Sequence, residues 1–243
     1  MALASARVGL RQNNSNAVAF TPTSLPNLAW WYDAGQITGG IDATGLATWQ
    51  DRSGNALNAV QATGANQPTY RTTTQLDPLG KPSVEFPSNI NVVMTTTASA
   101  APTASSHYIV AKFSVVTNPA ALVGASVAGG IEIRINAGKI ELLKQGVALV
   151  GTGTTAIVAG VWHVYEVQYD SAGGAWTMFI DGVASGSGTN VQALVASSLW
   201  LGNTAASEFA TAVVADQLRY DRIVTASEAT SLRSYFKTKH GTP

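Results

Sequence analysis

From Ile131 to Asn136 apolar and polar residues alternate without a break: Ile131, Ile133 and Ile135 against Glu132, Arg134 and Asn136. Successive side chains of a strand point to opposite faces, so this period of two describes a strand with one face in a core. The same period recurs along the chain and dominates what it can become. Trp162, Val164, Glu166 and Gln168 interleave with His163, Tyr165, Val167 and Tyr169, and Trp176, Met178 and Ile180 share one face. That last run ends on Asp181 and Gly182, a two-residue hairpin signal because both positions favour φ > 0. Ala137 and Gly138 turn the first run back into Lys139–Lys144, where Ile140 and Leu142 continue the pattern. Further strands are expected at Tyr108–Val115, Ser198–Leu201 and Asp216–Tyr220. Met94–Ser106, rich in Thr, Ala and Ser, reads as a loop or a weak strand.

Helix signals gather at the end. Thr225 followed by Glu228 is a capping box, in which each side chain serves the other's backbone amide. Ala229, Leu232 and Phe236 then mark one helical face, Lys237 and Lys239 suit the C-terminal dipole, and Gly241 lies just beyond. Many strands closed by one short helix describe a sandwich or barrel rather than an alternating α/β fold. At 243 residues the chain suits one such unit. Charged residues are 12% of the chain, against roughly 25% in ordinary soluble domains. Thr, Ser, Asn, Gln and Gly therefore supply most of the polar surface. The 14 basic residues equal the 14 acidic ones, which argues against a nucleic-acid partner. Absence of cysteine excludes a disulfide framework, a thiolate metal site and a Cys nucleophile. No apolar run approaches the ~18–20 residues of a spanning helix. The start lacks a cationic region followed by an apolar one, so neither a membrane contact nor a cleaved export signal is expected.

Residues 1–24 stand apart. They hold Arg7 and Arg11 and no acid, the first carboxylate being Asp33, and Pro22 and Pro26 close them. This reads as an extended arm, 1–24, leading into a single domain, 25–243. Such an arm is held in place only by its own domain or a neighbouring chain. Arg7, Arg11, Phe20 and Pro22 are its candidate partner-contact residues.

Several stretches resemble, in order, the laminin-G-like family of concanavalin A-type jelly rolls. Leu28–Ala34 resembles the family's opening "LWLDA" strand, and Thr48–Asn55 its "WxDxSGN" turn. Gly80–Phe86 resembles "GxPxVxF", Gly160–His163 "GxWH", and Phe179–Gly182 the "xVDG" hairpin. Leu218–Arg222 with the capped helix resembles the closing element. The resemblance runs from about Leu28 to His240. It implies an all-β jelly-roll sandwich with a short C-terminal helix, here preceded by the arm. In physical terms Asp51–Asn55 is a turn, Trp49 plugs the core edge, and Trp162 and Tyr165 lie on opposite strand faces. Asp221 and Arg222 are expected to form a local ion pair.

The fold does not fix function; the chemistry of particular residues does. A retaining glycosidase needs two carboxylates about 5–5.5 Å apart. The related glucanases carry them on one strand face, where this chain has Glu132, Arg134 and Asn136, a single acid. His107, His163 and His240 have no metal-ligand spacing. Where many relatives carry a calcium-binding "FDGxDD", this chain reads Phe86-Pro87-Ser88-Asn89-Ile90, and Asp42, Asp51 and Asp77 are assigned to turns. No nucleophile elbow or phosphate cradle appears. No enzyme activity, metal or cofactor is therefore expected. Trp30, Trp31, Tyr32, Tyr70, Trp200 and Tyr220 are assigned to core packing.

The resemblance extends to modules carried on tailed-bacteriophage virions. The leading expectation is a non-enzymatic virion structural protein, a capsid decoration or accessory protein made in the host cytoplasm. It would dock through its arm on other virion proteins and on copies of itself. The alternative is a carbohydrate-binding, lectin-like adhesion module, on a tail fibre or secreted, with host glycans as partners. The chain's own Met1 and helical stop weigh against a fragment of a larger secreted enzyme. A shallow groove with two or more exposed aromatic rings and an adjacent Asp, Asn or Gln favours the lectin; an apolar or β-edge surface continuous with residues 1–24 favours assembly.

Overall fold

The alternating runs pair into two antiparallel sheets. The computed structural model describes residues 19–87, 91–204 and 208–243. The first sheet runs, in spatial order, Val183–Thr189, Ala175–Ile180, Trp162–Asp170, Ala104–Phe113, Ala212–Tyr220, Ser83–Phe86, Thr69–Arg71 and Thr44–Gly45. Leu28–Asp33 also pairs with Ala212–Tyr220. The second runs Ala148–Thr152, Lys139–Lys144, Ile131–Asn136, Ala120–Ala125, Ser197–Leu201, Met94–Ser99, Ala59–Val60 and Thr48–Trp49.

The main core lies between the sheets. Ile131, Ile133, Ile135, Ile140 and Leu142 meet Ile109, Tyr165, Val167 and Met178 there, all buried. A second core covers the outer face of the first sheet, where the C-terminal helix Ala226–His240 sets Ala229, Leu232 and Phe236 against Trp31, Tyr108, Val110, Trp162, Val164 and Leu218. One sheet between two apolar layers explains why Trp162 and Tyr165, on opposite faces, are both buried. Trp49 is fully buried, and Asp51 holds its turn by accepting from the Ser53 and Leu57 amides at 2.9 and 3.0 Å.

The helix begins as its sequence dictates. Thr225 accepts from the Glu228 amide at 3.3 Å, Glu228 accepts from the Thr225 amide at 2.8 Å, and Gly241 ends the helix in the left-handed region at φ 66. Thr225→Ala is expected to lower stability by about 1 kcal/mol, the usual value of an N-cap, read as a fall in the urea midpoint at unchanged m.

Several expectations change. Met94–Ser99 is a full strand, because Ser197–Leu201 supplies its ladder. Asp221 and Arg222 do not pair with each other. Asp221 meets Arg219 at 2.7 Å, on its own side of the strand, and Arg222 turns to Glu228 in the first helical turn at 2.7 and 2.8 Å. Of the arm, Arg7 and Arg11 lie outside the described residues. Its last residues are not extended throughout: Pro22–Ser24 forms a 3-10 turn entered from Thr21. Among the described residues no helix is long and apolar enough to cross a membrane.

Candidate functional site

The helix covers only part of the first sheet's outer face. Beyond it, Glu166, Gln168 and Asp170 project from alternate positions of Trp162–Asp170. Thr177 and Phe179 stand opposite them, in register with Gln168 and Glu166. Two adjoining cavities, 270 and 200 Å³, share Gln168 and Thr177 and form a shallow groove. Val224, Ala226 and Ala229 wall it on the helix side, and Ala175, Trp176 and Ile223 at the far end.

Glu166 organises one side of the groove. Its Oε2 accepts from Arg233 Nη2 and Nε at 2.6 and 2.9 Å, and its Oε1 from the Tyr108 hydroxyl and Gln168 Nε2, both at 3.0 Å. Burial, with the Glu166 charge, pushes the Tyr108 phenol far above its ordinary range. The Arg233 guanidinium lies 4.7 Å from the centre of the half-buried Phe179 ring. Asp170 Oδ1 accepts from the Ala172 and Gly173 amides at 3.0 and 3.1 Å. Its Oδ2 has no partner among the described residues. The groove thus places an aromatic ring beside an amide and a hydroxyl, with the Asp170 carboxylate in the adjoining cavity.

A larger groove of 690 Å³ separates Ala19–Thr21 from the outer side of the helix. The Phe20 and Tyr235 rings meet edge to face at 6.3 Å, among Thr21, Thr230, Ser231, Ser234 and Thr238. Lys239 reaches its rim, but its ammonium is held by Asp33 and Asp216 at 2.6 and 2.5 Å. Phe20 therefore lines a cavity. Pro22 does not: it is buried, and its carbonyl accepts from the Tyr220 hydroxyl at 2.8 Å.

The aromatic residues assigned to the core are buried, except Trp200, which is half-buried. No Phe, Tyr or Trp among the described residues is fully exposed.

The single acid expected beside Arg134 has company. Arg134 bonds Glu141 at 2.8 Å, Glu208 at 2.5 Å and Glu132 at 3.4 Å. Burial first, and then Glu208, pushes the Glu132 carboxyl up to about 9. The strand register sets Glu141 opposite Arg134, and a contact 74 residues along the chain brings in Glu208, so one strand's spacing could not disclose the group. Glu132 and Glu141 are buried, and Arg134 lies between the three carboxylates. The cluster braces the sheet, and Glu208 also lines a 290 Å³ cavity with Asn118, Phe209 and Thr211. His163 pairs with Asp181 at 2.6 Å. Asp42 accepts from the Thr72 and Thr73 amides in a loop role. Asp77 caps its turn and also pairs with His240 at 2.7 Å. No group of three or more potential metal-ligating side chains occurs among the described residues. Ser88–Ile90 lie outside them.

The architecture is that of a two-sheet β-sandwich with an open groove beside its helix. No family model matches the chain, and no curated protein matches it. Solved structures of the same fold do. The binding domain of Paraclostridial Mosquitocidal Protein 1 aligns at TM-score 0.60 and 14% identity, over 86% of this chain and 52% of that one. The binding domain of botulinum neurotoxin serotype G aligns at 0.52 and 12%, over 82% and 54%. Trypanosoma rangeli sialidase in complex with sialic acid aligns at 0.59 and 11%, over 90% and 34%. The chain spans about half of each toxin domain and a third of the sialidase. At these identities the likeness is one of fold.

Proposed function

We propose that this chain is a non-catalytic, laminin-G-like carbohydrate-recognition module. One observation carries the reading: the outer-face groove, where the Phe179 ring shares one cavity with Gln168 and Thr177, and Asp170 shares the adjoining cavity with the same two residues. Saccharides join apolar C–H faces to closely spaced hydroxyls, and an aromatic surface beside fixed polar groups complements both. Support also comes from the fold likeness to toxin binding domains and to a sialidase solved with sialic acid. A glycan array followed by titration calorimetry tests the reading. The wild type is expected to bind a discrete set of saccharides, and Phe179→Ala to weaken that binding about tenfold, the scale of one aromatic contact.

A second reading, a phage virion accessory protein docking on neighbours or copies of itself, is favoured by the apolar groove lined by Phe20 and Tyr235. Under it, Phe20→Ala with Tyr235→Ala abolishes self-association in light scattering, while the array stays blank.

A further inference from the structure

We infer that the outer-face groove selects uncharged saccharides and rejects anionic ones, with Asp170 Oδ2 as the acceptor that holds a pair of ligand hydroxyls. This rests on the carbohydrate reading and names the ligand class of the same site.

Much of the groove's bonding capacity is already used. Among the described residues Arg233 is the only cation lining the groove; Glu166 Oε2 takes two of its N–H groups, and its guanidinium lies 4.7 Å from the Phe179 ring centre. Its charge is therefore answered before a ligand arrives. The nearby helix N-terminus, ordinarily a place for anions, is served by its own capping box, and Glu228 in its first turn is matched by Arg222. Among the described residues no unpaired cation lines the groove to receive a ligand carboxylate.

What remains free is rich in acceptors. Gln168 spends its Nε2 on Glu166, which leaves its carbonyl Oε1. Asp170 spends Oδ1 on two amides, which leaves Oδ2. Thr177 adds a hydroxyl that can donate or accept. Adjacent sugar hydroxyls supply the donors this set requires, and a carboxylate acceptor binds two of them with charge assistance. A sialic or uronic acid would instead set its own acceptor carboxylate against the Asp170 carboxylate, which is held by two amides but by no cation among the described residues. Rejecting a ligand by like-charge repulsion is an effective route to specificity.

The test titrates wild type and Asp170→Asn with neutral hexose oligosaccharides and with their sialylated and uronic-acid counterparts. Asparagine keeps an Oδ1 for the Ala172 and Gly173 amides, so the turn should persist, and an unchanged urea midpoint verifies it. Wild type is expected to bind the neutral members at least tenfold more tightly than the charged ones. Asp170→Asn should weaken neutral binding about 10-fold or more, as for loss of hydrogen bonds to a charged group, and should narrow the gap between classes. A preference for the anionic members, or neutral binding indifferent to Asp170→Asn, overturns the inference and leaves the carbohydrate reading standing. Binding of neither class by the folded wild type overturns both.

Discussion

Asp216→Ala is expected to destabilise the fold by about 3–5 kcal/mol, the scale for removing one partner from a buried ion pair. Asp216 is fully buried and holds three groups: Trp31 Nε1 at 2.7 Å, Lys239 Nζ at 2.5 Å and His240 Nε2 at 3.2 Å. It thereby fastens the last helical turn to the first sheet, at a bulge after Val214. Burial opposes its ionisation, but Lys239 and His240 more than offset that and hold the carboxyl below its ordinary range. Alanine leaves Lys239 to Asp33 alone, whose carboxyl is pushed up by burial and by the Asp216 charge. The pH dependence follows from His240. Burial would lower its pKa, but its bonds to Asp216 and Asp77 raise it above 6.5 in the folded chain. The folded state then holds a proton that the unfolded state releases. This stability is fully present below pH 6.5 and disappears as pH rises through the folded value. The cost of Asp216→Ala should therefore be larger at pH 6 than at pH 9. Urea unfolding at both pH values measures it; a loss under 1 kcal/mol, or one that grows with pH, refutes the clamp.

Much of the fold is local and was legible for that reason. The alternation at Ile131–Asn136 and its return at Lys139–Lys144 form a hairpin in the expected register. Asp181 and Gly182 take φ 52 and 78, the conformation their types favour. The capping box needs only four residues. What the sequence concealed depends on partners far away. Met94–Ser99 is a strand through Ser197–Leu201. The Arg134 cluster needs Glu208, and the clamp needs Asp33, Asp77 and Asp216 gathered under one helical turn. The groove lies between these cases. Phe179 is the odd member of the Trp176, Met178, Ile180 alternation, so its outward direction is implicit there. Its place beside Gln168 and Arg233 depends on the strand register and on helix packing. Phe20 drew attention as part of an arm; its setting in a groove comes from the helix docking beside it.

His107→Leu is expected to reverse part of the protein's sensitivity to acid. His107 lies fully buried on the inner face of the first sheet, in register with Arg219 and Val167 and 5.9 Å from the Trp30 ring. Neither ring nitrogen has a hydrogen-bond partner among the described residues. Arg219 brings a positive charge close by, answered at 2.7 Å by Asp221 near the surface. Burial, and then Arg219, lower the His107 pKa well below 6.5. The folded chain thus keeps the ring neutral while the unfolded chain takes up a proton. The stability this represents is present above pH 6.5 and is lost as pH falls toward the folded value, at a slope approaching 1.4 kcal/mol per pH unit. Leucine has no proton to take up in either state, so the variant should lack that slope. At pH 8 it should equal or exceed the wild type, since two unpaired buried nitrogens are replaced by an apolar side chain. Carboxylates that titrate in the same range are common to both chains and cancel in the difference. Urea unfolding of the pair at half-unit steps from pH 8 to pH 4.5 decides the matter: parallel stability curves across that range would mean that His107 is protonated, or solvated, within the folded sandwich.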